Sequence, residues 1–154
     1  MNTRKVMSVF VLLLASAAMC FAADVQIGTW KLNEAKSKAV AGMPKNSTVK
    51  YEAMGDQIKV TVDGTDANGK PAHNEWTGKF DGKDYPVTGD AASDSRAYTR
   101  VNPHKLAMTL KKGGKVTTTG TITVSADGKT RTVIISGTDA KGKKVSGTAV
   151  YDKQ

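Results

Sequence analysis

The sequence predicts an all-β fold: a single antiparallel up-and-down meander of about eight to ten strands, closed into a β-barrel. Three observations carry this. Apolar and polar residues alternate at period two over most of the chain after Ala23. Pairs such as Asn68-Gly69 and Asp127-Gly128 separate those runs at hairpin spacing. Stretches that favour helix are scarce.

The first segment stands apart. Arg4 and Lys5 precede the mostly apolar run from Val6 to Leu14, and Ala15 to Ala23 is rich in small residues. This is the layout of a secretory signal peptide. The apolar run is shorter than the ~20 residues a membrane-spanning helix needs. Cleavage is expected between Ala22 and Ala23, with Cys20 and Ala22 as the small residues the peptidase wants. Lipid attachment at Cys20 would want a small residue directly before it, and Met19 stands there. The expected chain is thus residues 1–22 as signal peptide and 23–154 as one barrel domain without cysteine, periplasmic or secreted.

The strands follow in order: 26–33, 47–54, 57–64, 72–80, 84–88, 95–101, 105–111, 115–124, 130–138 and 144–151. Gln57 to Val62 places Ile58, Val60 and Val62 on one face, and Lys105 to Lys111 does so with Leu106, Met108 and Leu110. The segments from Val116 to Val124 and from Thr130 to Thr138 are dense in Thr, Val and Ile, which fit a pleated surface. The strand at 84–88 is weak, because Pro86 cannot donate to a ladder. Asn33-Glu34-Ala35-Lys36 can begin one or two helical turns with Asn33 as the cap, ended by Met43-Pro44.

The turns are explicit. Gly55-Asp56, Asn68-Gly69, Asp81-Gly82, Gly113-Gly114, Asp127-Gly128 and Lys141-Gly142 lie between alternating runs. The heptapeptide Gly64 to Lys70 returns as Gly137 to Lys143 with one change, Asn68 to Lys141, at an offset of 73. It is either a duplicated hairpin unit or one turn sequence used twice. A meander of this length has edges to manage, and closure removes them. A barrel of about eight or more strands can enclose a small ligand.

Removing residues 1–22 from the 154 leaves 132, enough for one domain with a modest core. Two of the 23 basic residues leave with the signal, so 21 face 14 acidic ones, a net charge near +7. Weak contact with anionic surfaces is conceivable on that charge. The lysines are spread along the chain at turns and alternating positions, which reads as solubility. Nucleic-acid binding is not expected, because stacking platforms need exposed aromatics among basic residues and only 6% of the chain is aromatic. A monomer is expected.

Gly28-Thr29-Trp30-Lys31-Leu32 opens the first strand. A Gly-x-Trp ahead of an up-and-down meander resembles the start of lipocalins and of fatty-acid-binding proteins, the calycin group. Ala41 to Lys45 and Ala149 to Lys153 also resemble the fatty-acid-binding pattern, and the whole is similar to small secreted bacterial lipocalin-like proteins. The resemblance implies a lipocalin-like barrel whose first-strand Trp30 plugs the closed end. Two departures stand out. Residues 34–46 are too few for the helical lid of fatty-acid-binding proteins. The Arg that holds a carboxylate in that family, two positions before the terminal Tyr, is Ala149 here, although Tyr151 matches.

No catalytic constellation is visible, and no enzyme is expected. Ser, His and Asp occur without a Gly-x-Ser-x-Gly elbow. His73 and His104 are too few and too far apart for a metal site, which normally takes three or four ligands. Asp63, Asp66 and Asn68 do not match the spacing of a helix-flanked calcium loop. No cofactor is implied. The candidate ligand wall is Tyr51, Trp76, Met108, Ile134 and Tyr151, each of which suits plain core equally. Arg96, Tyr98 and Arg100 share one strand face. If it points inward, the guanidinium groups could hold an anionic head. If Ala97, Thr99 and Val101 point inward instead, which is the expectation, both arginines are merely solvated.

The leading functional reading is a non-enzymatic binding protein for a small apolar or amphipathic ligand held inside the barrel. The alternative is a structural or interaction barrel with a filled core, acting through its basic surface.

Overall fold

A computed structural model describes residues 24–38, 40, 42–139 and 141–154. The expected signal peptide, its expected Ala22–Ala23 cleavage point and Cys20 lie outside the described residues. Ten strands follow one another: β1 (Gly28–Leu32), β2 (Lys45–Met54), β3 (Gln57–Thr65), β4 (Pro71–Gly78), β5 (Tyr85–Thr88), β6 (Ser95–Asn102), β7 (Lys105–Lys112), β8 (Lys115–Val124), β9 (Thr130–Thr138) and β10 (Lys144–Lys153). Each pairs antiparallel with its sequence neighbours, and β1 pairs with β10 to close the barrel. This is the all-β closed meander that the sequence predicts, with every expected strand in place. It also fits the calycin-type barrel that the resemblance implies.

Among the described residues, helix is confined to one 3-10 turn, Glu34–Lys36. Asn33 caps it as expected, its Oδ1 accepting from Lys36 N at 3.2 Å. The turn ends at Lys36 rather than at Met43-Pro44. From there Lys38 pairs with Thr148 of β10, so the connection to β2 runs across the barrel rim.

The repeated heptapeptide folds as the same turn twice. Asp66 Oδ1 accepts from Asn68 N and Lys70 N at 2.8 and 2.9 Å, and Asp139 Oδ1 does likewise from Lys141 N and Lys143 N at 2.9 and 3.0 Å. Gly69 and Gly142 take φ 78° and 79°, the left-handed region that glycine enters without penalty. Both turns sit at the open end.

β5 is the thin seam foreseen from Pro86. It pairs with β4 only at Glu75↔Thr88 and Trp76↔Val87, and with β6 only at Tyr85↔Arg96 and Pro86↔Ser95. Below it, residues 80–82 reach β6 directly: Arg100 N donates to Phe80 O at 3.1 Å and Gly82 N to Tyr98 O at 2.8 Å. An aromatic cluster backs the seam. Trp76 has the rings of Tyr98, Tyr85 and Phe80 at centroid distances of 4.8, 5.8 and 6.3 Å. Gly78 makes room for it, since a Cβ there would lie 2.5 Å from Tyr85 Cγ.

The closed end is filled. Trp30, Val60, Leu106 and Ile122 are all but inaccessible. Trp30 Nε1 donates to Gln26 O at 2.9 Å, which ties the segment before β1 across the base. Trp30 is the structural plug that the resemblance implies.

The outer face of β3 and β4 carries a charge ladder. His73 Nδ1 is 2.7 Å from Asp63 Oδ1, and Lys59 Nζ is 2.8 Å from Glu75 Oε1. The Asp63 bond leads in holding the exposed His73 above its ordinary value of 6.5. A raised histidine pKa stabilises the fold fully below the unfolded-state value, and that contribution is lost as pH rises through the folded-state value. Screening at this exposed pair keeps it small. NMR titration of the ring should therefore show a midpoint above 6.5 that falls in Asp63→Asn. An unchanged midpoint would show that the Asp63 contact does not set it.

Candidate functional site

Between the plug and the open end the barrel encloses a cavity of about 290 Å³. Its walls come from alternate positions on the strands. Val49 of β2, Met108 and Leu110 of β7, Ile122 of β8 and Val133 of β9 supply apolar surface. The buried polar groups gather at Tyr51, Arg96, Tyr98, Arg131 and Tyr151, with Asn74 and Asp90 beside Arg96, and the exposed Glu34, Lys38, Lys45 and Asn46 also line the space.

Of the candidate wall residues, the structure brings Tyr51, Arg96, Tyr98, Met108 and Tyr151 together on this cavity. Three lie elsewhere. Trp76 is buried behind the wall in the aromatic cluster, its Nε1 donating to Arg96 O at 2.9 Å. Arg100 sits outside the cavity, paired with Asp24, its guanidinium 4.9 Å from the Phe80 ring centroid. Ile134 is 53% exposed and belongs to the outer surface. Its neighbours explain this. Val133-Ile134-Ile135 is an unbroken apolar run, so composition gives no parity; register then puts Arg131, Val133 and Ile135 inside and Ile134 out.

The expectation for β6 is also corrected. Thr99 and Val101 are exposed, while Arg96 and Tyr98 are buried. Tyr98 completes the ring cluster with Trp76 and Phe80, and its inward side carries Arg96 in with it.

The Arg96 charge is met inside the protein. Its Nη2 is 3.2 Å from Asp90 Oδ2 and 3.3 Å from Asn74 Oδ1, and its Nη1 is 3.4 Å from the Tyr98 hydroxyl. Asp90 is itself held by the β5–β6 loop, accepting from Ala92 N at 2.9 Å and from Ser93 Oγ at 2.5 Å. Burial works against the Arg96 charge, but Tyr98 and Asp90 hold its pKa above the ordinary value.

Arg131 is the residue that sequence reasoning missed. It is 3% exposed on β9, opposite Tyr151 of β10 in the register. Its Nη2 donates to the Tyr51 hydroxyl at 2.6 Å. The guanidinium carbon lies 4.9 Å from the Tyr51 ring centroid and 5.3 Å from that of Tyr151. Burial holds the phenols of Tyr51 and Tyr151 above their usual range, and the Arg131 charge, which pulls them down, does not overcome it. Both rings are therefore neutral at ordinary pH. The resemblance puts a cation at position 149; here Ala149 fills that place, and the charge beside Tyr151 comes from the adjoining strand.

No protein-family model matches the chain, and no curated protein does. Among solved structures, a barrel described as EF1p2_mFAP2b bound to DFHBI is similar, 15% identical with a TM-score of 0.48, covering 86% of this chain and 97% of its own. A redesigned beta barrel, b11L5F_LGL, is 16% identical with a TM-score of 0.45, covering 88% and 97%. Lobster apocrustacyanin A1 is 12% identical with a TM-score of 0.42, covering 86% and 63%. At these identities the likeness is one of fold.

Among the described residues, no group of three or more His, Cys, Asp and Glu side chains could hold a metal ion. His73 is on the outer face. His104 stands at the opposite end from the mouth, its Nδ1 3.2 Å from Val124 O. What the site offers chemically is an apolar chamber with a small set of fixed hydrogen-bonding groups.

Proposed function

We propose that this protein is a non-enzymatic carrier that takes a small apolar or amphipathic molecule into its barrel, and that it works in the periplasm or outside the cell after losing its leader. The observation that carries the reading is the cavity: about 290 Å³ enclosed by mostly apolar side chains, with a few convergent polar groups. Ligand pockets have this character, and this one lies just below their ~300–1,000 Å³ range, which suits a small molecule. Burial of apolar surface would drive entry. A barrel acting only through its basic surface has no use for such a chamber. Export is supported by the Arg4-Lys5 start, the apolar run and the small residues before Ala23.

Mass spectrometry of protein purified from its own host tests both parts. The denatured mass should correspond to a chain beginning at Ala23. The native spectrum should carry a stoichiometric small molecule, released by solvent extraction, or else the emptied protein should take up N-phenylnaphthylamine with a rise in its fluorescence. Protein that is repeatedly empty and also excludes the dye would overturn the carrier reading in favour of the surface role.

A further inference from the structure

We infer that the ligand is an amphipathic anion and that Arg131, not Arg96, is its counter-charge, with the head group seated beside Tyr51 and Tyr151 deep in the cavity. This rests on the carrier reading and names the chemical class its cavity takes. The two buried arginines differ in how their charge is met. Arg96 has a carboxylate, Asp90, which the loop's own backbone and Ser93 hold in place. Arg131 makes no ion pair among the described residues. Its hydrogen bond is to a neutral phenol; its Nε, like that of Arg96, donates to nothing among the described residues, so the carboxylate is what separates the two.

Buried charges are normally paired, because an unpaired one gives up its hydration without replacement. The two tyrosine rings lie close to the Arg131 guanidinium and are favourable neighbours for a cation. They bring no negative charge. Of the two buried arginines on the cavity, Arg131 is therefore the one whose charge no carboxylate among the described residues balances. A guanidinium presents its donors as a planar fork that suits a carboxylate, sulfonate or phosphate oxygen pair. The Tyr51 hydroxyl accepts from Arg131 and so fixes the direction of that fork. Apolar walls at Val133, Ile122 and Met108 fit a hydrophobic body attached to that head.

The test is displacement of N-phenylnaphthylamine, a neutral dye, by three competitors with one chain and three charges: decanesulfonate, decanol and decylammonium. The wild type should release the dye at about tenfold lower decanesulfonate than decanol, the ratio expected of one charge-assisted contact. Decylammonium should be weakest. Arg131→Gln should take up the dye yet lose the gap between sulfonate and alcohol, and the double variant Asp90→Leu with Arg96→Met, which removes the second cation together with its carboxylate, should keep it. Equal potency of sulfonate and alcohol in the wild type would overturn the inference, as would a gap that survives in Arg131→Gln or disappears only in the double variant. Should Arg131→Gln not fold, NMR of nitrogen-labelled wild type supplies the second readout. The Arg131 Nε–H signal should shift with decanesulfonate and not with decanol; a shift confined to Arg96 would refute the assignment. Dye that never enters would fail the carrier reading itself, and the inference with it, whereas dye that enters and leaves without regard to charge fails the inference alone.

Discussion

Trp76→Ala is expected to lower unfolding stability by about 3–5 kcal/mol, the range for removing a large buried aromatic from a packed core. The loss has three physical parts. The indole is buried, with three rings around it, so its removal leaves a hole that the β5 seam is poorly placed to close. Each lost aromatic pair adds about 0.5–1.5 kcal/mol beyond area. The Arg96 carbonyl loses the donor it has from Trp76 Nε1, and an unmet buried acceptor costs about 1–3 kcal/mol. Trp76→Phe separates these parts, keeping most of the packing while losing the hydrogen bond. Urea unfolding should show the midpoint falling in both, further for Ala, with the slope unchanged. A shift under about 1 kcal/mol for Trp76→Ala would mean that the cluster does not hold the seam. Because Trp76 stands behind the wall, folded Trp76→Phe should take up N-phenylnaphthylamine as the wild type does.

The fold was legible because its signals are local. Alternation in Gln57 to Val62, Asx-Gly turns and a proline at position 86 each report on a few residues and agree with one another, which is how a sequence specifies a single structure. The first strand was placed at 26–33 and begins at Gly28, because Gln26 is drawn into the cap over Trp30 rather than into the ladder.

The interior was only partly legible, for a reason specific to barrels. Which parity faces inward depends on the partners across the ladder, and a strand with no clean alternation does not declare it. On β6 the apolar set Ala97 and Val101 competes with Tyr98, and the size of the tyrosine ring decides. On β9 the apolar run Val133 to Ile135 hides the parity altogether. Arg131 drew no notice because a lone basic residue in a strand ordinarily faces water. One signal was available: Arg131 has the parity of Val133 and Ile135, so an inward Val133 carries it inside.

Replacing Asp90 by Asn is expected to lower stability by about 3–5 kcal/mol, the cost of leaving one partner of a buried ion pair uncompensated. The substitution keeps the size of the side chain and an oxygen for Ala92 N. What it removes is the charge facing Arg96, on a pair whose side chains are only 7% and 13% exposed. The double variant Asp90→Leu with Arg96→Met should recover most of the loss, since replacing both partners by apolar groups is often neutral. A double-mutant cycle in urea, which unlike guanidinium chloride adds no ions, isolates the pair. The same variant also bears on the cavity. With Asp90 neutral, Arg96 becomes a second unbalanced cation beside the chamber, so an amphipathic anion should stabilise Asp90→Asn more than it stabilises the wild type. At about a hundred times its dissociation constant a ligand adds about 2.7 kcal/mol, so saturating decanesulfonate should narrow the difference in melting temperature while decanol leaves it. If Asp90→Asn unfolds within about 1 kcal/mol of the wild type, the Asp90 carboxylate is not what permits Arg96 to be buried. The inner face of β6 would then owe its direction to Tyr98 alone.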